Sequence, residues 1–311
     1  MSPPLLVGEL MMARHWPLST AVMTIALLAG IVLGVFGAPA QAGAPNRGRE
    51  FYLALGGSGS VGVQPTRAAV RGQPTDRGYS NDLLGLLRSR WSDLQLVELG
   101  CPGETSATTL NGEDKCRSHR RSSQLAEALS FLERHRSTVL VTVDLGFNNL
   151  RPCLARGRVD GQIDEGCVDQ SLATVKQQLA EILNQLRAAG PPDMDIVGIG
   201  HYDPLLADYL RGGAPRTFAL QSLDVISRLN DTLRSTYMDA GVPMADVAAV
   251  FDLPDRGAVT VSGLGNVPED VARTCALTWM CNPPPLGPNP HPDDAGYEAI
   301  ARAVSAVVPS G

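Results

Sequence analysis

Apolar positions along the chain fall into two rhythms. Short, nearly continuous apolar or β-branched runs occur at Phe51–Leu55, Leu94–Leu99, Thr138–Asp144, Ile196–Ile199 and Val242–Val247. Each has the length and composition of a strand buried inside a parallel sheet. Longer stretches between them read as helices: Tyr79–Arg90, with Leu83, Leu84, Leu86 and Leu87 on one broad face, Gln124–Arg134, Leu172–Ala188 and Ser222–Ala240. A last helix is expected from Asp293 to Val308, and Gly190 followed by two prolines ends the third, because proline cannot continue a helix. Strands that alternate with helices predict parallel pairing, since each crossover must carry a helix over the sheet. The expected fold is α/β: a single doubly wound domain spanning 51–311 on a mainly parallel central sheet of about five strands, undivided by any repeat or linker.

The first 42 residues stand outside that pattern. Arg14 and His15 precede a nearly uncharged run from Trp16 to Gly37 that ends in Ala40-Gln41-Ala42, the layout of an export signal cut after Ala42. The run is long for a signal peptide and Pro17 and its glycines loosen it, so an uncleaved anchor is the alternative. Met12 is an alternative start that leaves this reading intact. Residues 43–50 form a short polar leader. Either outcome places the domain outside the cytoplasm, secreted or in the cell envelope.

The six cysteines fall as local pairs: Cys101 with Cys116, Cys153 with Cys167, and Cys275 with Cys281. Six cysteines allow 15 pairings, and proximity alone selects this one. An oxidising compartment favours disulfides, and the absence of any tight C-x-x-C spacing argues against a metal site. A formal charge of −6, from 26 basic and 32 acidic residues, argues against a nucleic-acid partner, as does the lack of a basic block interleaved with aromatics.

Ligands of such a sheet collect beyond the carboxyl ends of its strands. Gly56-Gly57-Ser58-Gly59-Ser60 follows the first strand, Gly100-Cys101-Pro102-Gly103-Glu104-Thr105 the second, Gly146-Phe147-Asn148-Asn149 the third and His201 the fourth. Ser58 is suited to attack a carbonyl once a base takes its proton. Its own N–H, a closely approaching Gly103 N–H and the Asn148 amide are suited to hold an oxyanion. His291, in a Pro/Gly-rich loop before the last helix, is the natural base. Each feature also has a plainer reading: a flexible turn for the glycines, a turn residue for Asn148, a hydrogen-bonded surface residue for the histidine. Their convergence favours a site. His201 and Asp203 read as a hydrogen-bonded wall, and Trp279 as packing against a disulfide. Asp76, Tyr79, Asn81 and Asp82 either frame an entrance or cap the helix that follows.

Tyr52 to Ser58, Leu99 to Thr105, Gly146 to Asn149, and His291-Pro292 followed by Ala295-Gly296-Tyr297 resemble the four blocks of the SGNH (GDSL-type) hydrolase family. The likeness is to its exported, disulfide-bearing actinobacterial esterases and spans nearly all of 51–311. It implies a flavodoxin-like domain with Ser58 as nucleophile, His291 as catalytic histidine, and Ser58, Gly103 and Asn148 as oxyanion donors, with neither metal nor organic cofactor. The chain departs from the pattern wherever an aspartate is usual. Gly57 and Asn149 replace two of them, and Pro288 and Asn289 stand where an acid would orient the imidazole. Asn289 is able to accept from the ring N–H but cannot offset an imidazolium charge.

The expected function is an exported serine esterase that hydrolyses carboxylic esters through an acyl-enzyme on Ser58, with His291 as general base. The alternative is a weakened or inactive relative that binds an acyl or glycan ligand, motivated by the lost acids. The substrate class stays open among small-molecule, lipid and glycan esters, and a monomer is expected.

Overall fold

A computed structural model describes residues 48–112 and 123–309. The chain enters through β1 (Glu50–Gly56) and a 3-10 turn at Gly59–Val61, then forms α1 (Tyr79–Leu87), β2 (Leu94–Glu98), α2 (Ser106–Asn111) and α3 (Gln124–Arg134). It continues through β3 (Thr138–Asp144), α4 (Phe147–Asp160), α5 (Glu165–Ala189), β4 (Asp195–Ile199), a 3-10 helix at Pro204–Arg211, α6 (Gly213–Asp239) and β5 (Met244–Ala245). The short α7 (Val247–Val250), the strands β6 (Ala258–Val261) and β7 (Gly265–Pro268), α8 (Glu269–Leu277), a 3-10 turn at Trp279–Cys281 and α9 (Asp294–Val307) complete it.

The main sheet has five strands in the order β2-β1-β3-β4-β5, and every neighbouring pair is parallel. Successive side chains of a strand face opposite ways, so β1 feeds two cores. Leu53 and Leu55 join Val141 and Val143 beneath α3, α5 and α6, whose Leu132, Leu179 and Leu229 are fully buried. Tyr52 and Ala54 join Leu140 and Val197 beneath α1 and α9, against Leu83, Tyr297 and Val304. Each fully buried Leu or Val contributes about 1.5–3 kcal/mol, so helices on both faces are required. A smaller cluster of Leu206, Ala219, Val267 and Val271 attaches the antiparallel β6–β7 hairpin.

The parallel α/β sheet of five strands is therefore as expected, with corrections at several ends. Glu50 belongs to β1 rather than to the leader, and is buried. The fifth strand is only Met244–Ala245, because the Asp246 side chain accepts from Ala249 N–H and starts α7 where a strand was expected. The helix expected at Leu172 begins at Glu165, capped by Asp164, and the one expected at Ser222 begins at Gly213. Asn148 and Asn149 lie in the first turns of α4 rather than in a loop.

Disulfides join Cys153 to Cys167, with Cα atoms 5.7 Å apart, and Cys275 to Cys281, at 5.1 Å. Cys116, and with it the expected pairing to Cys101, lies outside the described residues, as do the segment 1–42 and the leader up to Asn46 and Arg47. Among the described residues no helix is long and apolar enough to cross a membrane.

Candidate functional site

Ser58 sits where β1 turns into the first 3-10 segment, and that turn is tied down from several directions. A buried amide on α3 clasps the strand end: Gly56 N–H donates to Gln124 Oε1 at 2.7 Å and Gln124 Nε2 donates to Gly56 O at 3.1 Å. Gly57 N–H donates to Asp144 O at 3.0 Å, Ser60 Oγ to Gly57 O at 2.8 Å and Val63 N–H to Ser58 O at 3.1 Å. Two glycines sit in close quarters. A Cβ at Gly59 would lie 2.5 Å from Asp144 Oδ2, and one at Gly57 would lie 3.0 Å from Asn148 Nδ2. The Gly57 position that carries aspartate in the family pattern is thus pressed against the Asn148 amide.

The second loop is stitched to this turn by Cys101 N–H, which donates to Gly56 O at 2.9 Å. It presents Gly103 with φ 87°. At the start of α4, Asn148 Nδ2 donates to Glu104 O at 2.9 Å, which leaves the second amide hydrogen available. The backbone N–H groups of Ser58 and Gly103 find no acceptor among the described residues. Asn149 takes a different part: its Oδ1 accepts from Ser106 N–H at 3.1 Å and its Nδ2 donates to Ser106 Oγ at 2.9 Å. It fastens α2 to α4.

His291 belongs to a loop anchored on the segment around the Cys275–Cys281 disulfide. Trp279 N–H donates to His291 O and Asn289 N–H to Trp279 O, both at 3.1 Å. Asn289 Oδ1 lies 2.7 Å from His291 Nδ1 and accepts from the His291 backbone N–H at 3.2 Å, while its Nδ2 donates to Val70 O at 3.3 Å. With both ends of the amide committed, Nδ1 carries the ring proton and Nε2 holds the lone pair. Burial, and secondarily the charge of Arg151, lowers the His291 pKa to about 4. The imidazole is neutral at ordinary pH.

Ser58, Gly103, Asn148, Asn289 and His291 all line one cavity of about 760 Å³. The five residues come together from parts of the chain more than two hundred positions apart. Tyr79 and His201 share the wall, whereas Asp76, Asn81 and Asp82 do not. Asn81 instead accepts from Gly78 N–H at 3.1 Å, at the start of α1. Trp279 is likewise outside the lining, its Nε1 donating to Gln64 Oε1 at 3.2 Å. Asp203 is a buried helix cap, accepting from Leu205 N–H at 2.9 Å and from Ser222 Oγ at 2.7 Å.

Three charged lining residues were not singled out from the sequence: Asp144, Arg71 and Arg151. Asp144 closes β3 and receives a hydrogen bond from Ser60 N–H. Its carboxylate lies 3.8 Å from His201 Nδ1, while His201 Nε2 is 3.0 Å from Leu145 O. Burial raises the Asp144 pKa, with His201 as the main opposing influence. A charged residue ending an otherwise apolar strand, at the edge where ligands collect, was the available signal. The arginines offered none, being ordinary surface residues by pattern.

Sheet order, cavity and donor set together define an α/β protein with the SGNH-hydrolase fold. The chain belongs to the GDSL-like lipase/acylhydrolase family, whose sequence model matches residues 54–299. Among solved structures it is similar to phospholipase A1 from Streptomyces albidoflavus NA297, at 18% identity and a TM-score of 0.54, covering 83% of this chain and 99% of that one. It is also similar to an extracellular lipase from Streptomyces rimosus, at 16% identity and a TM-score of 0.53, covering 83% and 100%. The lipase Lip_vut3 from a goat rumen metagenome aligns at 15% identity and a TM-score of 0.51, covering 83% and 96%. No curated protein sequence matches the chain.

Proposed function

We propose that this hydrolase is an exported serine esterase that cleaves carboxylic esters through an acyl-enzyme on Ser58, with His291 as general base. The observation that carries the reading is a single cavity holding Ser58, two backbone N–H groups without acceptors, the Asn148 amide and an imidazole whose Nδ1 is fixed by Asn289. In the first half-reaction His291 Nε2 takes the Ser58 proton as Oγ bonds to the carbonyl carbon. The N–H groups of Ser58 and Gly103 and the free hydrogen of Asn148 receive the developing oxyanion. His291 then returns the proton to the leaving alcohol oxygen as the ester C–O bond breaks, and water activated in the same way releases the acid.

Asn289 fulfils the orienting part of the usual acid and not the electrostatic part, so a modest turnover is expected. Export is supported by the two disulfides, which persist in oxidising compartments, and by the signal-like N-terminal segment. The test is hydrolysis of p-nitrophenyl acetate and butyrate by the mature chain beside Ser58→Ala and His291→Ala. Loss of turnover in both variants supports the reading; equal background rates in all three proteins reject it and return weight to a ligand-binding role.

A further inference from the structure

The cavity lining includes two exposed arginines, Arg71 and Arg151, and one carboxylate residue, Asp144. Asp144 is already engaged by Ser60 N–H and His201. Neither arginine has an ion-pair partner among the described residues. Several other arginines are paired, among them Arg77 with Asp294 at 2.8 Å, Arg158 with Asp208 at 2.9 Å and Arg256 with Asp270 at 2.9 Å; what sets Arg71 and Arg151 apart is their place in the cavity lining. The site is therefore a positive mouth on a chain whose net charge is −6. Arg71 projects from the segment whose Val70 carbonyl holds Asn289. Arg151 lies three residues beyond Asn148 on α4, hence on the same side of that helix.

The direction of the reaction assigns the two halves of a substrate. The alcohol must receive its proton from His291, so the alcohol half lies on the His291 side of the scissile bond. Arg151 is the charge that the imidazole feels. The rest of the lining includes Ile199, Val247 and Ile300, apolar side chains that suit an acyl chain.

We infer that the preferred substrates are esters of an apolar acyl group with an alcohol that bears an anionic group, carboxylate or phosphoryl, held by Arg151 together with Arg71. This rests on the esterase reading. It also addresses the missing acid. Arg151 opposes formation of the imidazolium, and an anion seated on it removes that opposition only when the correct substrate is bound. Part of the electrostatic work that Asn289 cannot perform is then done by the substrate.

The experiment compares 4-acetoxybenzoate with 4-acetoxybenzamide, leaving groups matched in size and differing in charge. The wild-type chain is expected to favour the carboxylate in kcat/KM by about fivefold at low ionic strength, a ratio that shrinks as salt screens the charges. Arg151→Gln and Arg71→Gln each bring the ratio toward one, and Arg151→Lys retains most of it. A ratio near one in the wild type, or one that survives the double glutamine variant, overturns the inference. So does a larger preference for mono-phenyl adipate over phenyl hexanoate, which would put the anion on the acyl side. The Ser58→Ala chain, titrated with the two compounds by ligand-observed NMR, reads the anion site without chemistry. Tighter binding of the benzoate supports the inference even if neither compound is hydrolysed in a Ser58-dependent way, an outcome that rejects only the esterase reading. Equal binding of the two rejects the inference.

Discussion

Asn289 Oδ1 lies 2.7 Å from His291 Nδ1 and 3.2 Å from the His291 backbone nitrogen, so one amide oxygen fixes both the ring and the loop that carries it. The geometry of an imidazole orienter is present without the charge. Four predictions follow from this arrangement and from the residues around it.

Asn289→Asp places a carboxylate where the amide oxygen now sits. A negative charge there raises the His291 pKa and offsets the imidazolium during attack, so kcat on p-nitrophenyl acetate is expected to rise by about tenfold. The gain is reduced by loss of the Nδ2 donor to Val70 O. An unchanged kcat together with an unmoved pH profile would count against His291 as the base.

The wild-type profile has its own signature. In the proposed mechanism only the neutral imidazole accepts the Ser58 proton, and burial with the Arg151 charge brings its pKa down to about 4. The acid limb of kcat/KM for a neutral ester, which reports the free enzyme, should therefore fall near about pH 4, with a plateau from about pH 5 to 8. A limb at the ordinary histidine value would contradict the buried setting.

Two adjacent asparagines should separate cleanly. Asn148→Ala removes the proposed oxyanion donor and is expected to lower kcat by about 10²–10³. Asn149→Ala instead breaks the bonds to Ser106 N–H and Ser106 Oγ and costs about 1–3 kcal/mol of stability, with the smaller effect on kcat. Thermal melts and steady-state rates on both variants test the division. A reversed pattern would reassign the donor.

Asp203 gives a pH dependence of stability rather than of rate. Burial outweighs its bonds from Ser222 and Leu205 and raises its pKa to about 7, above the value of roughly 3.9 in an unfolded chain. Between those values the folded state holds the extra proton, so this group's contribution is full below about pH 4 and is lost as pH rises through about 7. Asp203→Asn keeps an oxygen for Leu205 N–H and removes the charge. It should flatten the stability loss between about pH 5 and 8, a difference on the order of a few kcal/mol, measurable by urea unfolding at both pH values. An identical slope in the variant would place the titration elsewhere.

Much of this was legible along the chain because the signals are periodic or local. Leu53, Leu55, Val141 and Val143 announce a sheet buried on both faces, and turns after successive strand ends converge once the sheet is parallel. The helix α4 was hidden by Pro152 within it and by Gly157, residues that ordinarily end helices. The final strand was overextended because Val247 is apolar and β-branched, whereas the Asp246 side chain redirects the backbone into α7. Arg71 and Arg151 were invisible for a different reason. Whether an arginine is surface decoration or part of a wall depends on the distance to a carboxylate, which no local pattern encodes.

The bond from Asn289 Nδ2 to Val70 O has a meaning beyond holding a loop. Asparagine is nearly symmetric in shape, and only its partners decide which end faces the ring. If Val70 lifts away, only the bond from the His291 backbone N–H to Oδ1 still opposes a turn-over that would offer NH₂ to Nδ1 and drive the ring proton to Nε2, the nitrogen that the proposed reaction needs empty. The segment bordering the mouth thus helps to set the proton inventory of the proposed base. A guest that displaced Val70 would weaken the hold on that tautomer.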